Sequence, residues 1–179
     1  MSGEKYLQSK YGSIKRATMF EKTQKLDFIN PVMVQFISKQ EMMFIATADK
    51  YGKCDNSIRT GPKGFVKVID SKTLFYPEYR GNGIYASLGN IIENPHIGLL
   101  LVDFFDSTVG LHINGKAEIL ESTHQVEDTL AERWVKVRVE EAYLHCSKHI
   151  PLLKKLKKNI HWNTDNFEDK GGDFFKISG

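Results

Sequence analysis

Long apolar runs, paired cysteines and a large excess of one charge are all missing from this sequence of 179 residues. No stretch approaches the roughly 18 consecutive apolar residues that a membrane-spanning helix needs, so we expect no membrane partner. The first residues lead into charged sequence without the apolar core of a secretion signal, and we therefore expect a cytoplasmic protein. Hydrophobic residues make up 41% of the chain, which is enough for one domain with an ordinary core.

Cysteine is scarce, and its spacing does not indicate a metal site. Cys54 and Cys146 are the two cysteines, and neither belongs to a Cys-x-x-Cys pair. Cys146 stands in a His-Cys-Ser-Lys-His run that begins at His145, but a zinc site needs about four ligands and no matching cluster occurs elsewhere in the sequence. We therefore predict two reduced thiols and no bound metal.

The balance of charged residues argues against a second class of partner, nucleic acid. The 25 basic and 22 acidic side chains give a formal net charge of +3, which is too small an excess to indicate nucleic-acid binding. Four lysines cluster between residues 154 and 158, but the chain lacks the exposed aromatic and basic strands of nucleic-acid-binding barrels. We expect this cluster to be a solvated helix face and predict no nucleic-acid partner.

Short strands joined by tight turns dominate the hydrophobic pattern. Apolar or alternating runs predict strands at 42–48, 54–59, 65–69, 73–76, 97–102, 109–120 and 134–140. Helical spacing predicts helices at 31–37, 87–93, 124–133 and 151–158. Gly115 is expected to mark a bulge in the longest strand. Few helices separate the strands, so we predict one mainly β (α+β) domain over 1–179, an antiparallel barrel or sandwich with an N-terminal arm (1–25) and a C-terminal tail (159–179).

Two loops rich in hydrogen-bond donors indicate a ligand. In 55–70, a polar strand with Ser57 and Arg59 leads through a Gly-Pro turn into an alternating strand. The fork of an arginine side chain suits a phosphate, and the turn glycines let a flat ring approach the backbone. A second such loop, Gly81-Asn82-Gly83, precedes a short predicted helix. Together the loops predict a phosphorylated planar ligand such as a flavin nucleotide.

The segment 81–86 also fits the Gly-x-Gly-x-x-Gly/Ala pattern of dinucleotide-binding folds. Four residues separate the preceding strand from the first glycine, although that fold turns directly. The following helix has about two turns before Pro95, and the surrounding chain forms hairpins rather than alternating strands and helices. We therefore favour close approach of the backbone to a phosphate at the helix start over a Rossmann unit.

Several motifs carry a family resemblance when they are taken in order. They are Ser57-x-Arg59, Gly61-Pro62-x-Gly64-Phe65-Val66, Gly81-Asn82, Asn90-x-x-x-Asn94-Pro95 and Ile113-Asn114-Gly115-x-Ala117. Their order and spacing over roughly 41–120 resemble the pyridoxamine 5′-phosphate oxidase-like FMN-binding split-barrel proteins, most of all the branch described as predicted flavin-nucleotide-binding proteins. The resemblance implies a six-stranded antiparallel split barrel with a few peripheral helices. It also implies a homodimer that holds FMN in a cleft at the dimer interface.

The same resemblance implies roles for single residues. The cofactor-binding set would be Ser57, Arg59, Gly64, Phe65, Val66, Arg80, Asn82, Ser87, Asn90 and Asn114, of which Arg80 is added as a second guanidinium near the phosphate and the other nine are implied by the resemblance. In it, the serine and arginine of the strand would face the phosphate, joined by Asn82, Ser87, Asn90 and a second guanidinium. The 64–66 backbone would run beside the isoalloxazine, which Asn114 would approach from a neighbouring strand.

The chain departs from the pyridoxamine phosphate oxidases themselves, because their basic strand motif, Ser-Arg-Lys helix start and arginine-rich C-terminal segment are missing. We therefore assign no catalytic residue and no substrate beyond a small-molecule electron donor or acceptor. The expected function is hydride or electron transfer through FMN. The alternatives are a non-catalytic flavin carrier or sensor, and a split barrel that binds F420 or haem. Haem would need an axial ligand, for which His145 and His149 are candidates, whereas His112 is expected to face solvent.

Overall fold

Two short helices precede a β-rich body in the computed structural model, which describes residues 2–177. The helices are α1 (Gly3–Lys10), α2 (Ile14–Thr23), α3 (Pro31–Ile37) and α4 (Ala86–Glu93). The strands are β1 (Lys25–Leu26), β2 (Met42–Ala48), β3 (Cys54–Thr60), β4 (Lys67–Asp70), β5 (Thr73–Glu78), β6 (His96–Val102), β7 (Gly110–Leu120) and β8 (Arg133–His145). A single 3₁₀ turn, Ser147–His149, follows β8. This content confirms the predicted mainly β class.

The strands form one antiparallel sheet in the order β3-β2-β6-β7-β8-β5-β4, with β1 paired to β8. Residues 2–177 form eight strands where the resemblance implies six, and β1 contributes only two residues. The strands on either side of the 81–86 loop, β5 and β6, do not pair with each other. The loop is therefore not part of a parallel βαβ unit, and the Rossmann alternative is excluded.

Alternation along the strands builds the core. In β8, Val135, Val137 and Val139 are buried, whereas Lys136 is half-buried and Arg138 is exposed. The same alternation in β2 and β7 points one face of each strand inward, as the two-residue period of a strand requires. Each buried aliphatic side chain contributes about 1.5–3 kcal/mol to folding relative to an exposed one. The buried faces of these strands therefore form the core that stabilises the sheet. No helix within residues 2–177 is long and apolar enough to cross a membrane.

The predicted bulge lies at Gly115. Asn114 faces Glu141 and Gly115 faces Val139, so β8 carries one extra residue, Glu140, at this point. A Cβ atom placed on Gly115 would lie 2.1 Å from the carbonyl oxygen of Arg138. Glycine is therefore required here by the close approach of the β8 backbone.

Two predicted helices are absent from the structure. The segment 124–133 forms turns in which Thr123 Oγ1 accepts from the Gln125 N–H and Asp128 Oδ1 from the Leu130 N–H. Such local side-chain bonds compete with helix formation. The segment 151–158 forms neither helix nor strand, and in it the Leu153 N–H bonds the Phe104 carbonyl while Lys155 pairs with Glu41. Both segments are therefore irregular rather than helical.

Smaller differences concern boundaries. The predicted strand at 65–69 begins at Lys67, because the Phe65 N–H bonds the Pro62 carbonyl in a turn. The strand expected to end before Pro77 continues through Glu78, opposite Trp134 and Arg133 of β8. The N-terminal arm, expected only as charged sequence, forms α1 and α2, neither of which buries a residue.

Candidate functional site

A polar cleft of about 700 Å³ lies where β3 approaches the end of β5. Its other walls are the loop after β5, the first turn of α4, the start of β8 and part of the C-terminal segment between residues 160 and 170. Half of the ten predicted cofactor-binding residues line it: Ser57, Arg59, Arg80, Asn82 and Ser87. These five come from two separate parts of the chain, β3 and the stretch 80–87, and the fold brings them to one cavity.

Arg59 is fixed in this cleft by two neighbouring side chains. Its Nε donates to Glu78 Oε1 at 2.7 Å, and its Nη1 donates to Ser57 Oγ at 2.6 Å. Ser57 and Arg59 share one face of β3, as their spacing predicts. Among residues 2–177, Nη2 of this guanidinium has no hydrogen-bond partner, so an anion in the cleft can use it.

Glu78 is a buried acid, and 7% of it is exposed. Burial raises the pKa of its carboxyl, and this effect outweighs the lowering by the Arg59 guanidinium. Deeper in the barrel, the buried Tyr76 hydroxyl has no hydrogen-bond partner among residues 2–177. Burial, followed by the Glu78 charge, raises the pKa of that hydroxyl. Arg59 supplies the counter-charge and the hydrogen bond that the buried Glu78 carboxylate needs.

The loop before α4 is tightly turned. Gly83 and Tyr85 both have positive φ angles, of +80° and +55°. Asn82 Oδ1 accepts from the Ile84 N–H at 3.0 Å, and the Ser87 hydroxyl donates to Asp55 Oδ2 at 2.6 Å. The N-cap of α4 makes no side-chain hydrogen bond. An anionic ligand at the start of α4 would therefore meet unpaired helix N–H groups but would compete with Asp55 for the serine.

The other five predicted residues lie outside the lining of this cleft. Gly64 turns the chain after β3 with a φ of +72°, and its N–H bonds the Gln40 carbonyl. Phe65 and Val66 are buried in the core at 2% and 3% exposure. Two asparagines make internal bonds, Asn90 to Thr47 at 3.1 Å and Asn114 to Glu141 at 3.2 Å. One chain thus assembles most of the predicted phosphate end but does not bring the predicted ring-side residues to the same cavity.

Several lining residues were not anticipated from the sequence. Glu78 falls one residue after the proline at which the predicted strand stops. Arg133, which lies in a segment predicted as helix, begins β8 and places its guanidinium 5.3 Å from the ring centre of Tyr85. Tyr79 bonds Asp128 at 2.7 Å, and burial raises the pKa of its hydroxyl. The alternation over 134–140 gives no signal for Arg133, because one further step back would place an apolar residue on the face of Val135 and Val137.

The C-terminal segment covers part of the cleft. The Trp162 ring meets Tyr79 edge to face, with ring centres 5.2 Å apart. Asn163 accepts from the Arg80 N–H and donates to the Leu130 carbonyl, both at 2.9 Å. Arg80 Nη1 lies 3.0 Å from Asp165 Oδ2. Within the C-terminal tail, Trp162 thus lies at the cleft, whereas Phe174 and Phe175 are 81% exposed.

A histidine pair lies on β7 and β8, at the other end of β8 from the cleft. His112 Nε2 is 2.8 Å from His145 Nδ1, and the His112 ring stacks on Tyr143 with centres 4.7 Å apart. Burial, followed by the nearby His145, lowers the pKa of His112. The expectation that His112 faces solvent is therefore wrong, because it is half-buried in this stack. No group of three or more His, Cys, Asp or Glu side chains in the described part of the chain is arranged to hold a metal ion.

The fold and cleft define a split-barrel protein with a cationic, donor-rich site, and sequence comparison gives the family. The family model described as pyridoxamine 5′-phosphate oxidase matches residues 29–162, which is more than half of the chain. The chain therefore belongs to the pyridoxamine 5′-phosphate oxidase family. A comparison with curated protein sequences found no match.

Solved structures agree with this fold. HupZ from group A Streptococcus is 22% identical, with a TM-score of 0.51 over 65% of this chain and 93% of that one. A proposed pyridoxamine 5′-phosphate oxidase from Lactobacillus delbrueckii is also 22% identical, with a TM-score of 0.50 over 68% and 99% of the two chains. HutZ, the haem storage protein from Vibrio cholerae, is 13% identical over 65% and 94%, but its TM-score of 0.43 is too low to support an argument. At these identities the likeness concerns the fold alone.

Proposed function

We propose that this chain binds a flavin nucleotide, FMN, in the cleft and acts as an FMN-dependent oxidoreductase. The observation that carries the proposal is the convergence of Ser57, Arg59, Arg80, Asn82 and Ser87 on one cavity. Its volume of about 700 Å³ falls within the range of small-molecule sites. Membership of the pyridoxamine 5′-phosphate oxidase family supports the same choice.

The residues present fit the phosphate end of the cofactor. Four cationic side chains line the cleft, namely Arg59, Arg80, Arg133 and Lys170. The three acids in the lining are all engaged by partners: Glu78 by Arg59, Asp55 by Ser87 and Asp169 by His161. A dianionic phosphate can therefore gain guanidinium hydrogen bonds in the cleft, although a contact with Ser87 would compete with Asp55. Tyr79, Tyr85 and Trp162 add flat apolar surface for a ring.

The chain's own contribution is binding and exclusion of water. FMN, when bound, would supply hydride or electron transfer to a small-molecule donor or acceptor. Arg59 would orient the phosphate, and the C-terminal segment would limit access of water to the cleft. Glu78 is assigned to holding Arg59 in position, because its carboxylate already accepts from that guanidinium. A carrier or sensor without turnover would use the same residues, and a screen of reduced nicotinamides as donors separates it from an enzyme.

A homodimer is part of this proposal. The predicted ring-side residues Phe65, Val66 and Asn114 lie away from the cleft of their own chain. A second chain that supplies the ring side of the site would explain why one chain brings together the phosphate-end residues but not the ring-side residues. Light scattering on the purified protein is expected to give twice the 20.5 kDa chain mass. A monomer that retains FMN would contradict the shared site.

The experiment that tests the function is an absorbance spectrum of the purified protein, recorded before and after incubation with FMN and exhaustive dialysis. We expect a yellow protein with the two visible absorption bands of a flavin. A protein that stays colourless after dialysis would contradict the proposal. Retained flavin that reduced nicotinamides do not bleach would support the carrier instead of the enzyme.

The Arg59→Lys variant is expected to bind FMN about tenfold more weakly than the wild-type protein. Lysine keeps the charge that faces Glu78 but lacks the fork of donors. Quenching of FMN fluorescence measures the dissociation constant. Arg138→Lys, on the exposed side of β8, is the matched control and is expected to leave it unchanged. Equal weakening in both variants would contradict a specific role for Arg59.

Haem is the second candidate, and the observation that favours it is the half-buried pair of His112 and His145. An imidazole in such a place can become an axial ligand once its hydrogen bond to the other histidine is given up. A Soret band in the spectrum described above would favour this candidate. The His145→Ala variant would then lose the band, whereas retention of the band would exclude His145 as the ligand.

A further inference from the structure

The C-terminal segment touches the cleft through two separate attachments, which have different chemistry. Asn163 is the anchor, because its amide bridges the Leu130 carbonyl and the Arg80 N–H at 2.9 Å each. Asp165 is the second attachment, and its carboxylate lies 3.0 Å from Arg80 Nη1. Asn163 bonds only backbone groups, so a ligand at the Arg80 side chain would not compete with it. Asp165 instead occupies the Arg80 guanidinium, which lines the cleft.

The Arg80–Asp165 ion pair is weak and exchangeable. The side chains of Arg80 and Asp165 are 51% and 62% exposed, and exposed pairs contribute little net stability. The only other carboxylate near this guanidinium is Glu132, at 3.9 Å from Nε among the residues that the structure describes. A phosphate offers Arg80 two parallel hydrogen bonds and more charge than a carboxylate. A phosphorylated ligand can therefore displace Asp165 while Asn163 keeps the segment in place.

We infer that Asp165 is an internal competitor for the ligand's anionic group, so that the Arg80–Asp165 pair weakens the binding of phosphorylated ligands and leaves the binding of uncharged analogues unchanged. The inference rests on the proposed function for the identity of the ligand as a flavin nucleotide. An uncharged flavin cannot replace the carboxylate at Arg80, so it would have to bind beside an intact pair. A flavin with a phosphate would release Asp165 to solvent and take its place.

Two single substitutions test this, because they break the same ion pair from opposite ends. Asp165→Asn is expected to bind FMN about threefold more tightly, since the competitor is gone. Arg80→Gln is expected to bind FMN about tenfold more weakly, since the phosphate loses a guanidinium. Riboflavin, which has no phosphate, should bind all three proteins within about twofold of one another. If the pair merely holds the segment in place, both substitutions would change FMN affinity in the same direction, and the inference is overturned.

A neighbouring acid provides the control for net charge. Asp169 lines the same cleft but pairs with His161 at 3.2 Å rather than with Arg80. Asp169→Asn removes one negative charge from the lining of the cleft and is expected to tighten FMN binding less than Asp165→Asn. Equal tightening in the two variants would show that only net charge matters and would refute the competitor role.

A flavin-free measurement keeps the inference testable if the protein binds no flavin. Lys158 and Lys170 flank the covering segment and are sites for trypsin. Inorganic phosphate is expected to accelerate cleavage at Lys170 of the wild-type protein about threefold over sodium chloride of equal ionic strength. In Asp165→Asn and Arg80→Gln, cleavage should already be fast and insensitive to phosphate. Equal effects of phosphate and chloride on the wild-type protein would contradict the exchange of anions at Arg80.

Discussion

The Arg59→Met variant is expected to lose about 3 kcal/mol of folding free energy at pH 7. Its partner Glu78 is buried, and the side chains of the pair are only 18% and 9% exposed. Methionine fills much of the same space but leaves the carboxylate without its hydrogen-bonded counter-charge, and this loss costs more than the intact pair contributes. Urea unfolding at fixed temperature measures the loss.

The loss should shrink toward acid pH, because the carboxyl can then take up a proton. Burial raises the pKa of Glu78 above its ordinary 4.5 in the folded state. Its contribution to stability is therefore fully present below pH 4.5 and is lost as the pH rises through the raised value. Without Arg59 that pKa rises further, so the gap between Arg59→Met and wild type is widest at neutral pH. A gap that is independent of pH would contradict this account.

Two controls separate the buried pair from ordinary ion pairs. Adding Glu78→Gln to Arg59→Met removes the charge and should recover part of the loss at pH 7. Lys136→Met breaks a pair with Glu118 whose side chains are 41% and 64% exposed, and it should cost less than about 1 kcal/mol. A comparable loss in Lys136→Met and Arg59→Met would show that burial is not the cause.

The Gly115→Ala variant is expected to lose about 3 kcal/mol or more, because the new methyl group has no room. Its carbon would lie 2.1 Å from the Arg138 carbonyl oxygen, and backbone rather than a flexible side chain would have to move. The strands β7 and β8 would separate at the bulge, and urea unfolding would show an earlier midpoint.

Gly89→Ala is the matched control, since it makes the same substitution at a glycine with open space. No heavy atom lies within 4 Å of a Cβ placed there, and the residue is on the exposed side of α4. Alanine in a helix interior is expected to stabilise by about 0.5–1 kcal/mol. A Gly115→Ala protein as stable as wild type would contradict the close backbone contact at the bulge.

The local pattern of apolar and polar residues was enough to predict most strands and the bulge in β7. Alternation over 134–140 marks β8 because strand side chains repeat every two residues, and a lone glycine in a long strand indicated the bulge at Gly115. The helices at 124–133 and 151–158 failed for a physical reason. Their apolar spacing is weak, and hydrogen bonds to distant carbonyls or nearby side chains hold the backbone in other shapes.

The candidate site was harder to predict, because its contacts join residues far apart in the chain. Ser57 and Arg59 were predicted together because they share a face of one strand. Glu78 lies 19 residues from Arg59, and only the arrangement of β3 and β5 brings the two together. Trp162 reaches Tyr79 and Asp165 reaches Arg80 from more than 80 positions away, and no local pattern encodes such contacts.

Comparison of FMN with riboflavin as ligands of the wild-type protein tests the central claim most directly. The two molecules share the ring and differ by the phosphate that the cleft is proposed to hold. Fluorescence titration is expected to give a dissociation constant at least tenfold lower for FMN, because a guanidinium–phosphate contact adds over 1.4 kcal/mol. Equal affinity for the two, or binding of neither, would contradict the assignment of this cleft to a flavin nucleotide.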